Sequence, residues 1–185
     1  MYLIVGLGNP EQDYANTRHN MGFDVINEVA KRNNIVLDRK KYNSFFGQGN
    51  VSRKRALLLK PQTYMNLSGI AIKDFKNFFK IPDDKIIVIY DDVDIEEGKI
   101  KIRKLGGSGS HNGMISVVQE LGNKNFYRIR IGVGKPFITQ ELKNYVLEKI
   151  DEETREKLNN AIHLAAEAVE DIIEKGIDYA MNKYN

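Results

Sequence analysis

The chain has 185 residues, 42% hydrophobic and 29% charged, with a net charge of +3 and no cysteine. A chain of this length can bury a proper core and fits one domain, residues 1–185. The missing cysteines exclude disulfides, thiolate metal sites and a cysteine nucleophile, and no apolar run approaches the ~18 residues of a membrane span. The start, Met1-Tyr2-Leu3-Ile4-Val5-Gly6, lacks a basic leader region and reads as a strand, so a cytoplasmic protein is expected. Charge is unevenly spread: residues 1–136 hold 22 Lys and Arg against 14 Asp and Glu, and residues 137–185 hold 6 against 11. Such a division fits a polyanion-facing body with an acidic helical flank, and equally a mixed solvated surface.

In chain order, Tyr2 to Leu7 predicts a buried strand, and a loop runs on to Arg18. Asn20 opens a helix with Val25, Ile26, Val29 and Ala30 on one face. Strands are expected at 44–51 and 55–60, joined by a basic turn at Arg53-Lys54-Arg55 and ended by Pro61. Asn66 or Ser68 is the expected cap of a helix striped by Ala71, Ile72, Phe75, Phe78 and Phe79. Ile86 to Tyr90 is the clearest buried strand and runs into Asp91-Asp92; Lys99 to Arg103 alternates like another. The Gly/Ser loop 106–110 leads to a helix near 111–122, and Phe126 to Val133 forms a further strand. Helices near 139–149 and 152–175 follow, with a short one after Gly176. Strands alternating with helices predict an α/β fold: a single-domain three-layer sandwich with a central mixed, largely parallel sheet flanked by helices. Ligands in such sheets gather at the carboxyl ends of strands, where Gly8-Asn9 and Asp91 both fall.

Two of the three histidines, His19 and His111, lie in loops and are followed directly by asparagine. An imidazole titrates near neutrality, so His19 can take a proton from water, or else simply cap the following helix. Asp91 can orient such a histidine and stabilise its protonated form, or serve as a turn former. The carboxylates Asp91, Asp92 and Asp94 could also gather a cation, although no fixed ligand spacing supports that. Asn9, Asn66 and Asn112 offer uncharged donors and acceptors for a peptide-like group, or act as caps and turns. Loop 106–110, with Arg103, Lys104, Arg128 and Arg130 nearby, suits an anion. It is not a P-loop, and Gly6-Leu7-Gly8-Asn9-Pro10-Glu11 lacks the third glycine of a dinucleotide fingerprint. No Gly-x-Ser-x-Gly elbow appears, and His163 sits beside the stripe of the long C-terminal helix as a structural residue.

Together these segments resemble the bacterial-type peptidyl-tRNA hydrolase family. The likeness runs through Val5-Gly6-Leu7-Gly8-Asn9-Pro10, Tyr14, Thr17-Arg18-His19-Asn20, Pro61-Gln62-Thr63-Tyr64-Met65-Asn66-Leu67-Ser68-Gly69, Tyr90-Asp91-Asp92-Val93-Asp94, Gly106-Gly107-Ser108, His111-Asn112-Gly113 and Arg128-Ile129-Arg130-Ile131-Gly132-Val133-Gly134. The resemblance implies cleavage of the ester between a peptide and the 3′-terminal ribose of tRNA, recycling tRNA from stalled translation. It implies His19 as the base activating water, held in its basic form by Asp91. Asn9 is implied to separate blocked from free aminoacyl-tRNA. Asn66 and Asn112 are implied to bind the peptide backbone and the tRNA 3′ end, Tyr14, Tyr64 and Met65 to line the cleft, and His111 to join the substrate contacts. Arg103 and Arg130 are implied to clamp the tRNA 5′-phosphate. No cofactor, metal, membrane or obligate protein partner is expected, and a monomer is the default. Two positions depart from the family: Glu11 and Ser110 each stand where glycine is usual. The competing classes are a non-catalytic RNA-binding relative and a nucleotide-dependent enzyme.

Overall fold

The computed structural model describes residues 1–137 and 141–185. Strand β1 (Tyr2–Gly6) is buried at all five positions, which a continuous apolar run requires when both faces and both edges are covered. It lies parallel to β4 (Lys54–Pro61) on one side and β5 (Ile86–Asp92) on the other, and β5 lies parallel to β7 (Tyr127–Gly132). The flanks are antiparallel: β2 (Arg39–Lys41) and β3 (Ser44–Val51) continue from β4, and β6 (Ile100–Arg103) closes beyond β7. The order is β2-β3-β4-β1-β5-β7-β6.

Because side chains alternate along a strand, β1 feeds two cores. Tyr2 and Ile4 pack with α1 (Met21–Arg32), α5 (Glu152–Lys175) and α6 (Ile177–Tyr184) through residues such as Ile26, Leu158, Val169 and Ala180. Leu3 and Val5 pack on the opposite face with α2 (Ser68–Phe79) and α3 (Asn112–Leu121) through Ile72, Phe75, Met114 and Val117. The three layers match the α/β expectation.

Several local details differ from it. Strand β2 is three consecutive cations with no apolar alternation to announce it; an edge strand tolerates this, and its charges discourage further pairing. The β3–β4 turn is Ser52-Arg53, both at positive φ (47° and 65°) as a two-residue hairpin loop demands, so Lys54 and Arg55 belong to the strand. Neither Asn66 nor Ser68 caps α2: Leu67 holds the cap position, and the Ser68 hydroxyl donates to the Met65 carbonyl at 2.7 Å. Helix α1 begins at Met21, after the 3-10 turn Arg18–Asn20, and Asn20 holds its N-cap position without a side-chain capping bond. Helix α4 spans Leu142–Leu147, within the expected 139–149, of which 139 and 140 lie outside the described residues. No helix among the described residues is long and apolar enough to cross a membrane.

One contact sets the register between layers. A Cβ on Gly22 would sit 2.4 Å from the Leu7 nitrogen and 2.5 Å from the Ile89 carbonyl oxygen, and one on Gly6 would sit 2.0 Å from the Gly22 oxygen. The first turn of α1 therefore presses directly on the carboxyl ends of β1 and β5, which brings the Arg18–Asn20 turn over those ends. Gly22→Ala is expected to lower stability by about 1–3 kcal/mol through overpacking; a urea midpoint equal to wild type would contradict this.

Candidate active site

Near its carboxyl end strand β5 carries Asp91, which is 3% exposed and faces two histidines. His19, on the turn before α1, places Nδ1 2.9 Å from Asp91 Oδ2 and 3.0 Å from Oδ1. His111, at the start of α3, places Nε2 2.9 Å from Asp91 Oδ1. The hydrogen bonds assign the tautomers. The Met114 N–H donates to His111 Nδ1 at 3.2 Å, capping α3, so the proton of neutral His111 is on Nε2 and is given to Asp91. Asp91 accepts from His19 Nδ1 as well, which leaves the lone pair of His19 on Nε2.

The electrostatics follow. Burial would raise the Asp91 pKa, but the two histidines overcome it and hold the carboxyl well below the usual carboxylate range. Burial alone would lower the His19 pKa; the charge of Asp91 and its hydrogen bond outweigh that, and the imidazole titrates above the ordinary 6.5. The Tyr90 ring meets His111 edge-on at 5.1 Å between centroids, and burial pushes the phenol up to about 12, so it stays neutral beside the pair.

These groups line a cleft of about 920 Å³ together with Asn9, Tyr14, Tyr64, Met65, Asn66, Asn112, Arg103 and Arg130. The site residues that the resemblance implies thus meet in one place. Asn9 is held by its neighbours: the Asn20 side chain accepts from the Asn9 N–H at 2.8 Å and donates to the Asn9 carbonyl at 3.0 Å. The Met65 N–H donates to Asn9 Oδ1 at 2.8 Å. With Oδ1 engaged, Nδ2 is the cleft-facing donor and has no partner among the described residues.

Some expectations need correction. Both ring nitrogens of His111 are engaged within the protein, one with Asp91 and one with the Met114 N–H, while the residue lines the cleft. Arg128 is 1% exposed, and its guanidinium donates to the carbonyls of Lys124, Phe126 and Gly106, so it fastens the 106–110 loop instead of binding an anion. Lys104 pairs with Asp178 at 2.8 Å. The acidic run does not converge: Asp92 pairs with Arg130 at 2.8 Å and Asp94 with Lys135 at 3.1 Å. Ligand atoms of His19, Asp91 and His111 lie within 4.8 Å of one another, a spacing a metal could use, but it would have to displace both N–H protons. The two departures fit the backbone: Glu11 has φ −73°, and Ser110 is not among the residues with positive φ, whereas Gly109 is, at 57°. The roles of Asn20 and His111 were not foreseen; the adjacency of each to a loop histidine or asparagine was the available signal.

A buried carboxylate bonded to a histidine whose second nitrogen has no partner among the described residues, at the strand ends of an α/β sheet and beside an amide donor, fits a hydrolase. The peptidyl-tRNA hydrolase family model matches residues 3–185. Peptidyl-tRNA hydrolases from Thermoanaerobacter sp. and Clostridium novyi are 50% and 46% identical over all 185 residues, covering 100% and 98% of those proteins. The crystal structure of an Arg119Gln mutant of peptidyl-tRNA hydrolase from Acinetobacter baumannii superposes with a TM-score of 0.95 at 36% identity, covering 100% of this chain and 94% of that one. The chain belongs to the peptidyl-tRNA hydrolase family.

The tautomer assignment has a direct check. In an NMR titration His19 should show a midpoint above 6.5, and in Asp91→Asn that midpoint should fall below the wild-type value, since burial remains while the charge is gone. A midpoint that does not move contradicts the pairing.

Proposed function

We propose that this chain, which hydrolyses peptidyl-tRNA to peptide and tRNA as its family does, works by general-base activation of water at His19. The observation that carries this is the bond from His19 Nδ1–H to Asp91 at 2.9 Å on the cleft wall. His19 Nε2 takes a proton from a water whose oxygen attacks the ester carbonyl carbon. The bond from that carbon to the ribose oxygen then breaks, and the leaving oxygen collects the proton from His19. Asp91 stabilises the imidazolium between those two transfers. A ribose oxygen is a better leaving group than an amine, so one histidine suffices as both base and acid.

Asn9 Nδ2 donates to the first peptide carbonyl, while Asn66 and Asn112 hold the peptide backbone and the tRNA 3′ end; Tyr14, Tyr64 and Met65 form the walls. Arg103 and Arg130 receive the 5′-phosphate beside the 106–110 loop. They occupy neighbouring strands, and the registers Arg103↔Arg128 and Tyr90↔Arg130 set both on the α3 side of the sheet. The excess of Lys and Arg over residues 1–136 supports backbone-directed, largely sequence-independent tRNA binding. Residues 1–185 act as one unit, as a cytoplasmic monomer with no obligate protein partner.

His19→Ala should reduce peptide release from N-acetylated aminoacyl-tRNA by roughly 10²–10⁴-fold while tRNA binding persists. Intact binding with no cleavage by wild type would place the chain among RNA-binding relatives instead. Among the described residues no carboxylate pairs with Arg103, whereas Asp92 engages Arg130. Arg103→Ala is therefore expected to weaken tRNA binding more than Arg130→Ala and to cut the salt slope by about 1. An unchanged slope in both variants contradicts the phosphate placement.

A further inference from the structure

Tyr64 has φ 55° and ψ 153°, a backbone region that residues with a side chain rarely adopt. Two contacts meet at this strained residue. Its hydroxyl donates to the Glu11 carboxylate. Its ψ directs the next peptide group, whose Met65 N–H donates to Asn9 Oδ1 at 2.8 Å. The chain from Asn9 through Pro10 to Glu11 and the dipeptide Tyr64-Met65 thus form a closed ring, tied once at Asn9 and once at Glu11. Glu11 does not line the cleft, whereas Tyr64 and Asn9 do. Glu11 also stands where the resemblance leads one to expect glycine, which could not make the second tie.

We propose that Glu11 and Tyr64 are positioning residues for Asn9. By holding Tyr64 in its strained conformation, the pair keeps the Met65 N–H on Asn9 Oδ1 and so keeps Asn9 Nδ2 turned into the cleft as a donor to the peptide carbonyl. Without the tie the 64–65 peptide can relax, Oδ1 loses its fixed partner, and the Asn9 amide can rotate. An amide that presents its oxygen to the cleft as often as its nitrogen no longer prefers a peptide carbonyl over a free ammonium. The pair then sharpens the choice of N-blocked over free aminoacyl-tRNA without touching the ester. The proposal rests on the assignment of Asn9 as the peptide-carbonyl donor.

The test is the ratio of kcat/KM for N-acetylated over free aminoacyl-tRNA in Tyr64→Phe, Glu11→Ala, Glu11→Gln, the Tyr64→Phe/Glu11→Ala double variant and Asn9→Ala. Tyr64→Phe and Glu11→Ala should each lower the ratio roughly threefold to tenfold, the worth of one hydrogen bond, mainly by raising KM for the blocked substrate. The double variant should lose no more than either single one, and Glu11→Gln, which keeps an acceptor, should restore most of the ratio. Ratios unchanged in both single variants, losses that multiply in the double variant, or equal loss of kcat on both substrates would overturn the proposal. Should Asn9→Ala lower the ratio while the two single variants keep it, the tie alone fails. Should Asn9→Ala leave the ratio unchanged, the role given to Asn9 fails and the tie falls with it.

Discussion

The site depends on one buried carboxylate. Asp91 follows the apolar run Ile86–Tyr90 of β5 with its charge shielded from water, where an unpaired ion would be costly. Two histidine N–H groups at 2.9 Å satisfy it. Each partner is fixed by a further contact: His111 by the Met114 N–H at the head of α3, and His19 by the turn that α1 holds against the sheet. The carboxylate stays ionised because both donors point at it, and His19 Nε2 has no partner among the described residues because its Nδ1 is the committed nitrogen. The geometry of the site thus rests on these two hydrogen bonds.

The sheet makes this arrangement accessible. Four parallel strands, β4-β1-β5-β7, end on the same side, so the loops after β1, β4 and β5 converge there. Gly6 and Gly22 let α1 approach closely enough that His19 reaches Asp91 from a different element. The loop carrying His19 is also tied from behind. Lys149 donates to the carbonyls of Asp13 and Ala15, and the Arg18 guanidinium stacks 4.0 Å over the Tyr145 ring. Helix α4, which also lines the cleft, and Lys149 beyond it therefore brace the His19 turn.

Much of this was legible in the residues. The apolar runs at Tyr2–Leu7 and Ile86–Tyr90 announced the two central strands, because a strand covered on both faces has no polar positions. The stripe along 152–175 announced α5 for the analogous reason. His19 and Asp91 stood out as titratable groups at loop and strand ends. What was not legible was set by tertiary contact. Strand β2 carries only charges, and pairing with β3 makes it a strand. Asn20 opens a helix as expected, but that its side chain clamps the Asn9 backbone is set by how the two loops meet. His111 resembled a substrate contact, but which atom its nitrogens meet is decided only when α3 packs beside β5. Arg128 looked like an anion ligand on charge alone, and its burial against three carbonyls could not be read from spacing. Glu11 and Ser110 looked awkward beside a glycine pattern, and both prove compatible because neither position needs a positive φ.

The most direct test of the account is the pH dependence of kcat/KM for N-acetylated aminoacyl-tRNA. In the proposed mechanism catalysis requires neutral His19, and Asp91 holds its pKa above the ordinary 6.5. The rate should therefore climb with pH through an apparent pKa above 6.5 that coincides with the His19 midpoint seen by NMR. A flat profile across that range, or an acid limb that does not track His19, would contradict a base made and held by Asp91.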